Sequence, residues 1–514
     1  MKMRNLKRAV LAMITLAILL LAACGGKPST APPQATDSSP SSPAQASTDT
    51  ANEDPDTQDP YTVKIAMIGG GNTQDCNEVA AAVSEITKEK FNTNIELVRF
   101  GYGDYEDQVS LMLAAGEKLD LLRNVSDVVT MATNGQALPL NDYLQTYGKE
   151  MWEMIPEVEW AASTYNGKIY GVRNTKELPA GTGYTFVTEI LEETGIDPAT
   201  LKTDDDVEAL LRKVKELHPE MYPLVSGRGG MEVGSHRDVL GGYDFGVLED
   251  CITGSTEVVN WYSCDTYVKA ITRRHQWLRE GLIMPDPSTN TSSAEELMSA
   301  GKAFACITNT KPGRETEAEK LIGKPVTIIE TVEAILTTIG CYNQFCVAPN
   351  CQDPGRAVQI LNEMQINPEV SNLFINGIEG KHYVLIDKEK GIIDYPQGLD
   401  PTQTGYPSTA WAWPNELISY VWVMDDPNVW KDTVDFNKNA EVSVAMGFLW
   451  DNSKVLPEIA ACKNVTAKYG NALDCGELDP AEAIPKLTAE LEAAGLLKIL
   501  GEKQAQLDAW LAGK

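Results

Sequence analysis

The pattern that most constrains the fold of this chain begins at Tyr61. Residues 61–68 are rich in apolar and β-branched side chains and predict a strand, and the glycines at 69–71 predict a turn. Residues 78–90 place apolar side chains at helical spacing, and residues 95–100 return to an extended apolar pattern. A strand, a helix and a second strand in this order predict an α/β fold with a partly parallel sheet.

The composition excludes several classes of function. The 514 residues carry a formal net charge of -30, which argues against nucleic acid as a partner and against a polybasic membrane patch. The glycine turn lacks both the Gly-Lys-Ser/Thr ending and the G-x-G-x-x-G spacing of nucleotide loops, so phosphate binding is not expected there. The histidines are scattered and the cysteines lack zinc-ligand spacing, so the sequence predicts no metal site. With 43% hydrophobic residues, a chain of this length predicts two or more lobes.

The N-terminal residues predict export from the cytoplasm. Basic residues precede an apolar run over 9–21, and small residues precede Cys24, which is typical of a signal peptide at residues 1–23. The run is too short for a bilayer core of about 30 Å. Residues 24–60 are rich in Ser, Thr, Pro and Ala and predict a disordered tether.

The four residues Leu21-Ala22-Ala23-Cys24 resemble the bacterial lipoprotein box. The resemblance implies that Cys24 is acylated, becomes the new N-terminus and holds the protein to the membrane. An ordinary secretory signal with a cysteine near the cut remains the alternative. An odd number of the ten cysteines then remains, so a complete set of disulfides within one chain is impossible. Cys251 with Cys264, and Cys462 with Cys475, are close enough in sequence to pair, but buried free thiols are the expected state.

Three further segments carry a family resemblance. The helix predicted over 105–115 ends in Ala-Ala-Gly-Glu and is followed by a short strand that opens with Asp120. Residues 136–144 read Gln-Ala-Leu-Pro-Leu-Asn-Asp-Tyr-Leu, and residues 165–171 predict a hairpin with Asn-Gly at its turn. In this order behind an export signal, the segments resemble the extracellular solute-binding proteins of ABC importers, in the carbohydrate-binding, maltose-binding-protein-like family 1.

The C-terminal part resembles a subgroup of that family from Gram-positive bacteria. Residues 377–383 read Gly-Ile-Glu-Gly-Lys-His-Tyr, and the segments that follow resemble an additional C-terminal module. The resemblance spans residues 61–510. One departure is Pro414, which follows Trp413 where the family has glycine.

The resemblance implies a two-lobed, periplasmic-binding-protein-like α/β fold of type II with a hinge between the lobes. Lobe one is expected at 61–175 plus 335–380, and lobe two at 176–334 plus 381–456. Residues 457–514 are expected to form a C-terminal helical module packed on the lobes. Thr203 and the three aspartates after it predict a capped helix start rather than a metal site.

The implied function is that of a lipid-anchored, extracellular solute-binding subunit of an ABC importer. It would act as a monomer, capture a carbohydrate in the cleft between the lobes, with an oligosaccharide favoured, and deliver it to the membrane permease subunits. The resemblance implies no catalytic residue, cofactor or metal. Two alternatives remain open. A secreted glycan-degrading enzyme would need two carboxylates flanking a glycosidic bond, and a ligand-sensing lipoprotein would bind a peptide or another non-sugar ligand.

Sugars offer hydroxyls and an apolar C–H face, so their sites combine charged or amide side chains with flat aromatic rings. Asp127 resembles the family position whose carboxylate accepts sugar hydroxyls. The predicted ligand-binding residues at the lobe edges are Tyr102, Asp120, Asp127, Arg173, Trp261, Trp411, Trp413 and Asn415. Further candidates are Asp104, Arg123, Asn124, Tyr262, Glu379, His382 and Tyr406.

These residues also have structural alternatives. Trp411 and Trp413 would share one face of a strand and either contact ligand or belong to the core. Arg173 would otherwise pair with a buried carboxylate. Glu379 and His382 are more consistent with locking a crossing between the lobes than with ligand contact.

Overall fold

The computed structural model describes residues 59–69, 73–101, 104–227, 231–242, 244–338, 343–399 and 403–513. Cys24, the predicted signal peptide, Tyr102 and most of the predicted tether lie outside the described residues. The strands are β1 (Tyr61–Ile68), β2 (Thr93–Phe100), β3 (Leu121–Arg123), β4 (Thr164–Tyr165), β5 (Lys168–Ile169), β6 (Val172–Arg173), β7 (Ala180–Val187), β8 (Tyr222–Val225), β9 (Ala303–Thr310), β10 (Val326–Leu336), β11 (Gln344–Val347), β12 (Val384–Asp387), β13 (Ile392–Asp394), β14 (Val421–Trp422) and β15 (Glu441–Val442).

Helices connect most of these strands and form the C-terminal end of the chain. They are α1 (Cys76–Phe91), α2 (Tyr105–Ala115), α3 (Val128–Thr133), α4 (Asn141–Tyr147), α5 (Lys149–Met154), α6 (Glu157–Ala161), α7 (Thr188–Thr194), α8 (Asp204–Leu217), α9 (Asp265–Arg279), α10 (Ala294–Ser299), α11 (Arg314–Ile322), α12 (Pro354–Ile366), α13 (Pro368–Asn376), α14 (Val429–Asn439), α15 (Leu456–Asp474), α16 (Pro480–Ala493) and α17 (Leu496–Ala512). Within the described part of the chain, none of the helices combines the length and the apolar character that a membrane crossing requires.

The first lobe is built on a five-stranded sheet in the order β2-β1-β3-β11-β6. Strands β1, β2 and β3 are parallel, whereas β11 runs antiparallel to β3 and to β6. The sheet is covered on both faces, because Val79 and Val83 of α1 belong to one apolar cluster and Val109 of α2 belongs to another. The strand–helix–strand pattern predicted from Tyr61 is therefore confirmed, as is the α/β fold class.

Helix α12 fills the centre of the first lobe. Residues 355–365 of this helix are all buried, including Arg356. The Arg356 guanidinium donates to the backbone oxygen of Phe91 and, over 2.9 Å, to Thr93 Oγ1, which ties α12 to the start of β2. A buried cation is tolerated here because its donors are satisfied by oxygen acceptors.

The second lobe is built on a five-stranded sheet in the order β15-β10-β7-β9-β8. Helix α8 begins with a capping box, in which the Thr203 hydroxyl accepts from Asp206 N and the Asp206 carboxylate accepts from Thr203 N. Asp204 and Asp205 pair with Arg273. The capping role predicted for this acidic run is confirmed. In the described ranges, no group of three or more His, Cys, Asp or Glu residues is placed to hold a metal ion.

Helices α15, α16 and α17 pack against residues 233–271 and share one apolar cluster with them. The eight cysteines among the described residues are all buried and free, so neither of the two possible disulfides is formed. The expected state of buried free thiols is confirmed for these eight residues.

The predicted boundary of lobe two at residue 381 needs correction. Tyr406, Ala412 and Trp413 lie in the apolar core of the first lobe, not the second. The Trp413 ring stacks on Phe374 of α13 with 4.9 Å between ring centroids, and the Tyr406 hydroxyl donates to the backbone oxygen of Phe374. The chain thus returns to the first lobe before it reaches α14, and we propose that the last crossing lies after Trp413.

Three segments of the described chain lead from one lobe to the other. They are residues 174–179 between β6 and β7, the segment between β10 and β11, of which residues 337, 338 and 343 are described, and residues 414–420 after Trp413. The first and third crossings lie side by side, because Thr175 N donates to Pro414 O over 2.6 Å and Glu416 N donates to Thr175 O over 3.1 Å. These backbone bonds form the hinge region next to the site described below.

Candidate ligand site between the two lobes

The strand order of the first-lobe sheet reverses at β1, because β2 is added on one side of this strand and β3 on the other. Such a position is called a topological switch point. In open α/β sheets, ligands bind at the carboxyl ends of the strands at such a point. The segment that leaves β3 carries Asn124, which is joined to the first residue of β11 by two bonds. Asn124 N donates to Gln344 O over 2.8 Å, and Gln344 N donates to Asn124 Oδ1 over 2.9 Å. This anchorage fixes the residues that follow against the lobe junction.

Asp127 is held at the start of α3. Its carboxylate accepts from Thr130 N over 2.8 Å and from Thr130 Oγ1 over 2.6 Å. The backbone of Asp127 is extended, with φ -62° and ψ 158°, as expected of a residue that caps a helix. Asp127 therefore has a structural role, and its side chain is half-buried at the edge of a cavity.

The cavity lies between elements of both lobes. It encloses about 440 Å³ of empty space, counting the part that opens to solvent. From lobe one it is lined by Asp127, Val128, Val129, Ala162 and Gln344; from the second crossing by Thr338; and from the rest of the molecule by Gly241, Phe448, Leu449 and Trp450. One carboxylate among apolar and aromatic side chains is the composition expected of a small-molecule pocket.

Trp411 lies beside this junction between two cations. The Arg123 guanidinium stands 5.1 Å from the centroid of the Trp411 ring, and Lys176 Nζ stands 5.9 Å from it. Arg123 also donates to Asn343 Oδ1, while its buried Nε has no hydrogen-bond partner in the described part of the molecule. Burial lowers the pKa of Arg123 from its usual range. The half-buried ring and the unsatisfied donor are suited to a ligand with an apolar face and hydroxyl oxygens.

A pair of carboxyl groups lies in the hinge. Glu177 N donates to Glu416 Oε1 over 3.4 Å, and Glu177 also pairs with Lys176 and Lys311. Burial and the neighbouring Glu177 charge raise the pKa of Glu416 well above its usual range. Although burial acts to raise the pKa of Glu177, its hydrogen bond with Glu416 and the nearby lysines lower that pKa to about 2. The pair therefore shares one proton, which Glu416 holds.

The structure places five of the predicted ligand-binding residues in contacts within the protein. Asp120 is fully buried and accepts from the Tyr61 hydroxyl and from Lys64 N. Arg173 pairs with Glu159, as the alternative reading of this residue proposed. The predictions that Asp120 and Arg173 contact ligand are corrected, because their polar groups are engaged within the first lobe.

Trp413 and Asn415 also belong to the protein interior. Trp413 is 1% exposed in the core of lobe one, and Asn415 Nδ2 donates to Gln365 O over 2.7 Å. Trp411 and Trp413 do not share a face, because residues 410–412 form a 3₁₀ turn instead of the predicted strand. The prediction that Trp413 and Asn415 contact ligand is corrected for this reason.

Trp261 is likewise a core residue, in the cluster shared by lobe two and the C-terminal helices. Its ring packs 5.6 Å from the Tyr267 ring and carries the Arg237 guanidinium 4.6 Å from its centroid. Its predicted ligand contact is corrected for this reason. Of the predicted ligand-binding residues, Asp127 and Trp411 remain at the junction, and Tyr102 lies outside the described residues.

His382 locks part of the first lobe together, as its structural alternative proposed. Ile378 N donates to His382 Nδ1 over 2.8 Å, so the ring proton is on Nε2, which lies 3.1 Å from Asp75 Oδ2. Burial lowers the pKa of His382, although Asp75 acts in the opposite direction. Glu379 and Asp104 are exposed and line neither of the cavities described in this subsection.

Sequence reasoning missed Gly241, Phe448, Leu449 and Trp450 as lining residues and Glu177 with Glu416 as a hinge pair. Each depends on contacts between residues far apart in the chain. No local signal singled out Trp450, which follows Phe448 and Leu449 in an apolar run that reads like any core segment.

A second cavity lies within the second lobe, between its sheet and α9. Three of its charged lining residues are engaged within the protein: Asp204 accepts from the Tyr184 hydroxyl over 2.9 Å and pairs with Arg273, and Arg274 donates to backbone oxygens. A ligand would have to displace these bonds, so the junction between the lobes is the better candidate.

Comparison with known proteins gives two family matches. Residues 71–321 match the family described as bacterial extracellular solute-binding protein. Residues 444–512 match a domain of unknown function, DUF3502. The DUF3502 match starts before the C-terminal module predicted at 457–514.

A curated relative and two solved structures cover most of the chain. A carbohydrate ABC transporter substrate-binding protein of Streptococcus pneumoniae serotype 4 is 24% identical over 475 residues, which span 89% of this chain and 93% of the relative. The N-glycan transport solute binding protein NgtS of Streptococcus pneumoniae has a TM-score of 0.79 at 23% identity, covering 88% of this chain and 99% of that chain. The same protein in complex with Man5GlcNAc has a TM-score of 0.72 at 23% identity, with 89% and 99% covered.

These similarities confirm the type II, two-lobed fold and the recognition made from the sequence motifs. Residues 71–321 of this chain are similar to the bacterial extracellular solute-binding proteins, and the likeness to the carbohydrate ABC transporter substrate-binding protein extends over most of the chain.

Proposed function

We propose that this protein is the lipid-anchored, solute-binding subunit of an ABC importer, and that it captures an oligosaccharide between its two lobes. The observation that carries the proposal is the cavity at the lobe junction, where Asp127 of lobe one lies opposite aromatic side chains from the rest of the molecule. In this proposal Cys24 carries the lipid, the protein acts as a monomer on the extracellular side, and the permease subunits receive the sugar.

The chemistry of the junction suits a sugar. A carboxylate such as Asp127 accepts hydrogen bonds from two vicinal hydroxyls, and these charge-assisted bonds are stronger than neutral ones. Arg123 has a buried Nε that lacks a partner in the described part of the chain, and a sugar oxygen supplies the missing acceptor. The half-buried Trp411 offers an aromatic face to the apolar side of a sugar ring.

Capture follows from the two-lobed arrangement. The lining residues come from both lobes, so a ligand that contacts all of them stabilises the closed arrangement over an open one. The crossings at Thr175 and Glu416 are the segments that would absorb the backbone changes of such a closure. A micromolar dissociation constant, about -8 kcal/mol, would allow both capture and release to the permease.

The relatives support a carbohydrate ligand and transport. The curated relative is a carbohydrate ABC transporter substrate-binding protein, and NgtS has been solved with Man1GlcNAc and with Man5GlcNAc. Glycoside hydrolysis needs two carboxylates that flank the scissile bond. Asp127 is the acidic residue in the described lining of the cavity, which favours binding over cleavage.

The test is a thermal-shift screen of the mature chain, residues 24–514, with Cys24 replaced by Ser. The panel contains monosaccharides, mannose- and N-acetylglucosamine-containing oligosaccharides, other oligosaccharides and short peptides. A ligand at a hundredfold excess over its Kd stabilises the folded state by about 2.7 kcal/mol, which raises Tm measurably. We expect one oligosaccharide class to raise Tm and to be recovered uncleaved.

A matched pair of variants makes the screen specific to the site. Trp411→Ala removes the ring beside Arg123, whereas Trp430→Phe changes a tryptophan that lines neither described cavity. We expect the Tm increase to shrink in the first variant and to persist in the second. A shift with peptides alone would favour a ligand-sensing lipoprotein, and release of cleaved sugar would identify an enzyme.

A further inference from the structure

The DUF3502 domain reaches the lobe junction through one short segment. We call residues 446–451 the DUF3502 turn. Met446 packs with Ala162 of lobe one, and the Tyr165 hydroxyl of lobe one donates to Asp451 Oδ2 over 2.8 Å. The turn is therefore in direct contact with the first lobe, although the helices that follow it pack on lobe two.

Trp450 lies in this turn and lines the cavity that Asp127 also lines. Its side chain is 3% exposed, so it is held in one place by its surroundings. A Cβ atom at Gly241 would lie 3.2 Å from Trp450 Cβ, and Gly241 has a φ of +102°. Glycine at position 241 thus allows the lobe-two loop to approach the tryptophan closely in a conformation that other residues rarely adopt.

Helix α17 holds the turn from the side away from the cavity. Gln506 forms two bonds with the backbone of Asp451, accepting from its N over 2.9 Å and donating to its O over 2.8 Å. Gln506 does not line the cavity, whereas Phe448, Leu449 and Trp450 do. The turn is fixed by α17 on one side and faces empty space on the other.

Lys503 of α17 is the most unusual contact of Trp450. The side chain is fully buried, and its Nζ donates to Val239 O over 3.0 Å and to Gly246 O over 2.7 Å. The same Nζ lies 4.3 Å from the centroid of the Trp450 ring. The Lys503 ammonium group of α17 therefore contacts Val239 and Gly246, which lie on either side of Gly241 in the sequence, and the Trp450 ring that lines the cavity.

We propose that the DUF3502 turn is part of the ligand site: Trp450 presents its ring surface to a sugar, and Lys503 is a positioning residue for that ring. This inference rests on the proposed function, and it assigns a role in ligand recognition to a domain that has none assigned. The Asp127 carboxylate and the Trp450 ring then supply the two kinds of contact that a sugar needs, one to hydroxyls and one to the C–H face.

The test uses the mature chain labelled with fluorotryptophan and fluorine NMR, with Man5GlcNAc or the panel sugar that gives the larger Tm increase. The chain has ten tryptophans, and Trp450→Phe identifies the resonance of Trp450 by its disappearance. We expect that resonance to shift when the sugar is added. We expect Trp450→Phe to raise the Kd for the sugar about tenfold, since part of the aromatic contact is lost. The control Trp430→Phe should leave the Kd unchanged.

Lys503→Met tests the positioning role. This variant keeps the buried aliphatic stem but removes the donors to Val239 and Gly246 and the charge beside Trp450. We expect it to move the Trp450 resonance in the sugar-free protein and to raise the Kd. The control Lys498→Met, on the same helix, removes an exposed pair with Glu458 and should do neither.

The outcomes separate this inference from the proposed function. If the unaltered protein binds no sugar, the proposed function fails first. If it binds sugar while the Trp450 resonance stays in place and the Kd of Trp450→Phe changes by less than about twofold, the inference is overturned. Should Trp450→Phe not fold, hydrogen exchange of the unaltered protein decides: slower exchange of residues 446–451 with sugar supports the inference, and unchanged exchange refutes it.

Discussion

Asp127 performs two tasks in this account, and a pair of substitutions separates them. Its carboxylate caps α3 through Thr130 N and Thr130 Oγ1, and it lines the cavity at the lobe junction. Asp127→Asn keeps a side-chain oxygen that can accept from Thr130 N, and asparagine caps helices as well as aspartate does. The same change removes the charge. Asp127→Ala removes both the cap and the charge.

The expected magnitudes follow from these two tasks. Loss of a helix cap costs about 1 kcal/mol of folding stability, so Asp127→Ala should be destabilised by about that amount and Asp127→Asn by much less. A hydrogen bond to a charged group contributes about 1.5–3 kcal/mol, which corresponds to a loss of affinity of about ten- to 150-fold. Both variants should show that loss of affinity, because both lack the carboxylate that accepts the sugar hydroxyls.

Urea unfolding measures the stability of each variant, and titration calorimetry with the panel sugar measures Kd. Thr130→Val serves as the control, because it removes the hydroxyl that donates to Asp127 but leaves the carboxylate in place. We expect this control to bind sugar within about twofold of the unaltered protein. If Asp127→Asn binds as tightly as the unaltered protein, the carboxylate serves only as a cap and the assignment of Asp127 to the ligand site is wrong.

Two further predictions concern the hinge and the core. Glu416 holds a proton in the folded state because burial beside Glu177 raises its pKa, so its contribution to stability is complete below its unfolded pKa and is lost as the pH rises through the folded pKa. Glu416→Gln keeps a neutral group at every pH, so its free energy of unfolding should match that of the unaltered protein at about pH 4, below the unfolded pKa of a glutamate, and exceed it at about pH 8; urea unfolding at both pH values checks this, and an equal pH dependence of both proteins would contradict it. Trp413→Ala should destabilise the fold by about 3–5 kcal/mol, because the ring is 1% exposed and stacked on Phe374. Its Kd for sugar should stay unchanged at a temperature where the variant is folded, in contrast to Trp411→Ala, and calorimetry with both variants distinguishes the two tryptophans.

The parts of the fold that depend on local patterns were predictable from the sequence. Strand β1, helix α1 and strand β2 follow from apolar spacing within a few residues, and the cap at Thr203 follows from its own side chain and that of Asp206. The family resemblance then supplied the two-lobed arrangement. Neither signal depends on contacts between distant segments.

The candidate site was predictable only in part, because it depends on such contacts. Spacing alone placed Trp411 and Trp413 on one face, but the 3₁₀ turn over 410–412 directs one ring to the junction and the other to the core. Arg173 forms an ion pair with Glu159, which lies in an earlier helix. Trp450 lines the cavity because Gln506 of α17 binds the backbone of the neighbouring Asp451. A single sequence carries no local signal for any of these three arrangements.

The most direct test of the central claim is a crystal structure of the mature protein with the oligosaccharide that gives the greatest Tm increase. We expect sugar density in the cavity between the lobes, with a sugar hydroxyl within about 3 Å of the Asp127 carboxylate and a sugar ring against an aromatic face at the junction. Sugar bound away from the lobe junction, with the Asp127 cavity unchanged, would contradict the account.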